Sequence, residues 1–327
     1  MPRVLLSVCT ALAMATAASS VAAAIDARAS VERLGRATAT PPLGPGASGP
    51  AVVRAQILLD RAWFSPGEID GRFSTNMRRA VVAYQKSHEL SATGRVDAAT
   101  WAALGADAAP LFTTHTLTAA DAAGPYRKVP REAAERAKLD ALGYESLKEA
   151  IAVRFHMSEK LLGELNRGSG FAAGDELVVA ATAGAGPAMS AAKSIEIDKS
   201  DRILFVLGAD ERVLAAFPIS IGGPLDPLPL GRMKIANEVK NPSFTYDPAL
   251  LKTAKPGETR TEIRPGPNNP VGNMWLGLSK PHWGIHGTPS PARIGHEETN
   301  GCIHLTNWDA GRLSSLARAG FVVDVKP

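Results

Sequence analysis

Cys302 is the side chain with the strongest claim to chemistry, and His286 lies sixteen positions before it. A free thiol has a pKa of about 8.5, so only a few per cent of it is thiolate at neutral pH. An imidazole within reach can accept the proton, lower the thiol pKa through the resulting ion pair, and protonate a leaving amine. Gly301 precedes the cysteine and allows close backbone approach. The amides of Gly301 and Cys302 are natural donors to the oxyanion of a tetrahedral intermediate. The surroundings are dense in functional groups: Pro-His-Trp-Gly-Ile-His-Gly-Thr over 281–288 and Thr-Asn-Gly-Cys-Ile-His-Leu-Thr-Asn-Trp-Asp over 299–309. Together these make a minimal acyl-transfer site.

Zinc is the competing chemistry, because His282, His286, His296, His304 and Cys302 fall close together. Trp283-Gly284-Ile285 between the first two is a poor helix, and no H-E-x-x-H occurs, so no metal is assigned and a zinc peptidase is disfavoured. His282 and His296 read as loop residues flanking the cleft. His88, His115 and His156 read as structural or exposed. Trp275 and Trp308 read as core, while Trp283 lies near enough to His286 to face substrate.

The elements that must position this site are strands. Ile195-Glu196-Ile197 alternates, Ile203 to Val206 is a buried-type run, and Val213 to Ile221 is apolar up to Gly222-Gly223. Glycine and proline punctuate the chain through Pro291, and a helix is expected from Trp308 to Ala319. This predicts a mostly β domain with long loops over 192–327.

These residues closely resemble the L,D-transpeptidase catalytic domain of the YkuD type, whose pattern is H-G-T followed by [S/T]-H-G-C-hydrophobic-R. Here His286-Gly287-Thr288 and Thr299-Asn300-Gly301-Cys302-Ile303-His304 carry it, supported by Ser220 to Gly223, Leu228 to Gly231, Asn241-Pro242 and Pro265 to Gly272. The resemblance implies Cys302 as nucleophile, His286 as base and then acid, and the Gly287 carbonyl as the group orienting His286. It also implies Gly301 and Cys302 amides at the oxyanion, with Thr299, Asn300, His304, Trp283 and Thr288 toward substrate. No cofactor is implied. The implied substrate is the tetrapeptide stem of peptidoglycan, joined through a thioester acyl-enzyme into 3→3 cross-links. Water as acceptor would make an L,D-carboxypeptidase, and an outer-membrane lipoprotein is a further acceptor known in the family.

Two positions depart from the pattern. Asn300 replaces a histidine and cannot carry a proton. His304 replaces an arginine, whose fork grips carboxylates permanently; a histidine there is expected to be cationic only in part near neutral pH. A catalytically weak wall-binding homologue is the alternative these departures raise.

Upstream, about 55 residues resemble the three-helix peptidoglycan-binding domain. The pieces are Val52 to Leu59, Gly67 to Phe73, Ala80 to Gln85 and Gly94 to Leu104, giving a domain over 49–106. The middle region, 107–190, is less regular. Within it 144–180 predicts two short helices and a closing strand, similar to a degenerate LysM module, with Gly184 to Met189 as linker. The whole reads as an α+β multidomain chain.

At the start, Arg3 is the only charged residue before Asp26, Val4 to Ala18 is apolar or small, and Ala22-Ala23-Ala24 follows. That is a signal-peptide pattern over 1–24, with a flexible leader expected over 25–48. It predicts export to the periplasm or cell wall, and removal of Cys9 would leave Cys302 as the lone thiol. Lys+Arg is 36 against Asp+Glu 32 with no basic run, which gives no reason to expect a nucleic-acid partner. With 45% apolar and 21% charged residues, the chain is neither disordered nor fibrous.

Overall fold

A computed structural model describes residues 27–36, 39–184, 186–250 and 254–327. The expected signal segment, 1–24, lies outside the described residues. Among them, no helix is long and apolar enough to cross a membrane.

The N-terminal module is three helices: α1 (Pro50–Arg61), α2 (Thr75–Ser87) and α3 (Ala98–Leu104). Ser74 caps α2 by accepting from the Met77 amide, and Asp97 caps α3 by accepting from the Thr100 amide. Two loops, 69–72 and 93–97, each place Asp and Gly in a turn, and each is tied by a glutamine. Gln56 accepts from the Gly71 amide at 2.8 Å, and Gln85 accepts from the Gly94 amide at 2.9 Å. Val52, Leu58, Met77, Val81, Tyr84 and Trp101 form its buried core.

The described part of 25–48 is not a free leader. Residues 27–35 are helical, and Ala27, Val31 and Leu34, spaced at helical period, pack into the core of the middle region. Farther on, Leu43 exchanges backbone hydrogen bonds with Val96, and Trp101 Nε1 donates to the Pro41 carbonyl at 2.8 Å.

The middle region packs a strand, two helices and a strand together, β1 (Phe112–Thr116), α4 (Leu147–Arg154), α5 (Glu159–Leu165) and β2 (Glu176–Ala180), with β1 antiparallel to β2 and short helical turns at Ala119–Ala123 and Ala133–Arg136 between β1 and α4. The two helices and closing strand lie where 144–180 predicted them. The partner strand comes from some thirty residues earlier and was not expected, because a five-residue Phe-Thr-Thr-His-Thr run carries little apolar periodicity.

The C-terminal domain is built on β3 (Ser194–Asp198), β4 (Ile203–Leu207), β5 (Val213–Pro218), β6 (Ile221–Gly222), β7 (Gly231–Lys240), β8 (Phe244–Tyr246), β9 (Thr261–Ile263), β10 (Met274–Leu278), β11 (Gly284–His286), β12 (Glu298–Thr299), β13 (Ile303–His304) and β14 (Val322–Lys326), with α6 (Asn307–Leu316) between the last two strands. Eight strands form one sheet in the order β13-β11-β10-β7-β14-β3-β4-β5. The β11–β13 and β3–β14 pairs are parallel and the others antiparallel. The sheet curls on itself. Beyond β5, Ser220 exchanges both backbone hydrogen bonds with His304 of β13, and β6 pairs with β12. Helix α6 ends at Leu316 rather than Ala319; Thr306 caps its start by accepting from the Asp309 amide.

The N-terminal module covers the other edge of this sheet. The Ser65 amide donates to the Ala216 carbonyl, and the Ala216 amide donates to the Trp63 carbonyl, both at 2.9 Å. The segment acts as a short added strand on β5, satisfying an edge that would otherwise be open. Ile203 and Ala216 of the sheet belong to the module's own core.

Candidate active site

Ile285 and Ile303 face each other across the parallel β11–β13 pair and are buried in the domain core. Side chains alternate along a strand. Their neighbours Gly284, His286, Cys302 and His304 therefore share the opposite face, with His286 directly across from His304. This brings residues sixteen apart in sequence onto one face of the sheet. Diagonal neighbours in a sheet lie roughly 7–8 Å apart, with Cβ atoms somewhat closer.

His286 is buried and held on three sides. Trp275, its β10 partner, stacks on the ring at 5.3 Å between centroids and 15°. The His304 ring lies 4.3 Å away on another side. Nδ1 lies 2.7 Å from the Gly287 carbonyl, the group the resemblance assigned to orient it. A carbonyl only accepts, so Nδ1 carries the proton and Nε2 keeps the lone pair. Burial pushes the His286 pKa from 6.5 down to about 4, against the opposing pull of the Gly287 carbonyl. The ring is thus neutral at physiological pH.

Cys302 is a half-buried free thiol. Its Sγ donates to the His282 carbonyl at 3.6 Å. Burial pushes its pKa up, while the amides of Gly284 and of Cys302 itself pull it down. The resting pair is neutral thiol and neutral imidazole. Water is largely withheld from both groups, so neither charged form is favoured before substrate arrives.

The loop carrying Cys302 is closely fitted. The Thr299 hydroxyl donates to the Cys302 carbonyl at 2.6 Å. Gly301 has φ +114°, a conformation that strains any other residue. A Cβ on Gly222 would lie 1.8 Å from the Asp226 carbonyl oxygen and 2.8 Å from Gly301 Cα. Trp283 packs against the domain core, with Lys280 Nζ 5.6 Å from its ring centroid, and borders Gly301. Asn300 is exposed at the loop's tip.

Two expected substrate contacts are placed otherwise. Thr288 is buried, and its hydroxyl accepts from the Ser290 amide at 3.2 Å, so it stabilises a turn. Burial, followed by the field of His286, holds His304 well below the ordinary imidazole range. The partial positive charge expected there near neutral pH is therefore absent. Its Nδ1 is 4.0 Å from Glu297. Trp275 and Gly284 also belong to the site; nothing in the local sequence of Trp275, which reads as core, shows that it pairs with His286. The Gly284 amide acts through its backbone, which no side-chain pattern marks.

Comparison with known proteins agrees with this constellation. Residues 192–325 match the family model "L,D-transpeptidase catalytic domain", YkuD. Residues 48–104 match "Putative peptidoglycan binding domain". Over 119 residues the chain is 33% identical to "Putative L,D-transpeptidase YkuD" of Bacillus subtilis (strain 168), covering 36% of this chain and 57% of that protein. Over 118 residues it is 33% identical to "Putative L,D-transpeptidase in ATP synthase subunits region ORF 5" of Fuscovulum blasticum, covering 36% of this chain and 59% of that one. The match thus spans a little over half the length of these relatives. A solved L,D-transpeptidase from Xylanimonas cellulosilytica DSM 15894 (residues 123–326) aligns at 17% identity over 88% of this chain and 99% of that one, with a TM-score of 0.39. At that score the likeness says nothing further about the fold. The region that matches the transpeptidase model holds both Cys302 and His286, and the region that matches the peptidoglycan-binding model lies wholly outside it.

Proposed function

We propose that this chain is an exported L,D-transpeptidase acting on peptidoglycan stems, with Cys302 as nucleophile and His286 as base and then acid. The observation that carries this reading is the His286 ring: Gly287 fixes its tautomer and leaves Nε2 basic, on the sheet face shared with Cys302. Cys302 rotates from the His282 carbonyl toward Nε2 and attacks the carbonyl of the third stem residue as its proton passes to the ring. The tetrahedral oxyanion forms beside the amides of Gly301 and Cys302. Collapse breaks the amide bond to the terminal D-alanine. Its amine leaves with the proton from Nε2, and a thioester remains on Cys302. A side-chain amine of a second stem then attacks the thioester, giving its proton to His286 and restoring the thiol. The product is a 3→3 cross-link. No nucleotide is needed, since the thioester conserves the energy of the broken amide.

Export to the periplasm or wall follows from the Arg3 to Ala24 pattern, and the N-terminal module would concentrate the enzyme on its insoluble polymer. Water in place of the amine would give carboxypeptidase activity. The raised thiol pKa favours a second reading, a wall-binding homologue with feeble turnover.

Intact mass after incubation with a carbapenem separates these. Wild type is expected to gain one drug mass on Cys302, and Cys302→Ala none. No adduct together with no tetrapeptide turnover would establish the wall-binding reading.

A further inference from the structure

The loop that delivers Cys302 is gripped by the N-terminal module. Asn76 sits in the first turn of α2 and is buried, although its backbone belongs to the peptidoglycan-binding domain. Its Nδ2 donates to the Ile294 carbonyl at 2.7 Å, 218 residues away in sequence. Its Oδ1 accepts from Arg79 Nη1 at 2.9 Å, and the same Arg79 nitrogen donates to the Gly295 carbonyl at 3.4 Å. Gly295 has φ +79°, and a Cβ there would lie 2.2 Å from Asn76 Oδ1, so glycine is what lets the two backbones meet. From Gly295 the contacts run directly to the site. Its amide donates to the buried Ser220 hydroxyl at 3.0 Å, and Ser220 exchanges both backbone hydrogen bonds with His304, the residue beside His286. Seven residues after Gly295 the chain reaches Cys302.

We propose that Asn76 is a positioning residue for the cysteine loop, so that the N-terminal module is a structural part of the active site and not only its anchor to the polymer. The side chain fixes residues 294–295 at one end of the loop, as the Thr299 hydroxyl fixes Cys302 at the other. Without the Asn76 donor the Ile294 carbonyl is left buried and unpaired, and the loop must shift to reach water. The kinetic consequence rests on Cys302 being the nucleophile; the structural consequence does not.

The test uses the full chain as wild type, Asn76→Ala, Asn76→Asp, Gly295→Ala and the Asn76→Ala/Gly295→Ala pair. Asn76→Asp keeps the size and the acceptor for Arg79, and turns an acceptor and a negative charge toward the Ile294 carbonyl in place of the donor. Hydrogen exchange is followed in peptides covering 291–304 and, as control, 50–61, alongside the second-order rate of carbapenem acylation. Both Asn76 variants are expected to exchange faster in 291–304 with 50–61 unchanged. Acylation is expected to slow by roughly five- to tenfold, the scale of one hydrogen bond. Gly295→Ala should do less damage in the Asn76→Ala background, where its methyl no longer meets Oδ1. Unchanged exchange in 291–304 in both Asn76 variants overturns the proposal, as does faster exchange with unchanged acylation. If wild type is not acylated, the transpeptidase reading fails, and exchange in 291–304 alone decides whether Asn76 holds the loop.

Discussion

At His286, burial and one hydrogen bond act in opposite directions on the same ring. Burial opposes the imidazolium and the Gly287 carbonyl favours it, and the balance leaves a pKa of about 4. In the proposed mechanism His286 is the base and must be unprotonated to act, so the acid limb of kcat/KM is expected near pH 4 and not near 6.5. The upward-shifted thiol places the alkaline limb above the usual cysteine range. Trp275→Ala would open one face of the ring to water, raise its pKa and move the acid limb toward neutrality. A pH–rate profile on both proteins checks this, and coincident acid limbs would rule out burial by Trp275 as the cause. His304, across the strand pair, is kept neutral by the same dry face, so it cannot replace a permanently charged arginine as a grip on carboxylates.

Among the elements, close backbone approach decides the site. Gly222, at the end of β6, lies against both Asp226 and Gly301, and no side chain fits between them. Gly222→Ala must push the cysteine loop away from Trp283 and the Gly284 amide. Misplacements of about 1 Å can cost roughly a hundredfold in rate, so kcat is expected to fall by at least about tenfold. Polymer pelleting through the N-terminal module should be retained. Steady-state kinetics with a pelleting assay would show it; an unchanged kcat would mean that the loop has room the structure does not show. Gly272 plays a comparable part behind His286, where a Cβ would lie 2.7 Å from Gly287 Cα.

Across the whole molecule, one buried polar cluster joins all three parts. Arg312 of α6 donates both Nη groups to Asp60 of α1 at 2.9 Å, and His156 Nδ1 of the middle region lies 3.0 Å from the same carboxylate. Ser65 donates to Asp309 at 2.7 Å. Burial alone would raise the Asp60 pKa, but His156 and Arg312 outweigh it and hold it at about 2. Asp309 is pushed up to about 6, chiefly by burial. The signs differ. Stability from Asp60 is present above its ordinary 3.8 and is lost as pH falls through about 2. Stability from Asp309 is present below 3.8 and is lost as pH rises through about 6. Removing Arg312 strands a buried carboxylate, so Arg312→Ala is expected to cost roughly 3–5 kcal/mol in urea unfolding. A loss well under about 1 kcal/mol, the range of exposed pairs, would show that water reaches Asp60.

The sequence by itself determined the chemistry-bearing groups and the domains that hold them. Cysteine, imidazole and glycine at fixed spacing are properties of residue type, and strand alternation or helical period is local. So the β-rich domain, the three-helix module and the candidate residues Cys302 and His286 were legible in it. The protonation states were not, because they depend on burial, which is set by residues far along the chain such as Trp275. Nor were the docking of residues 27–35, the partner strand β1, or the contacts of Asn76 and Arg312 across domains. Each joins groups separated by tens to hundreds of positions, and a contact between distant residues leaves no local pattern for a single sequence to show.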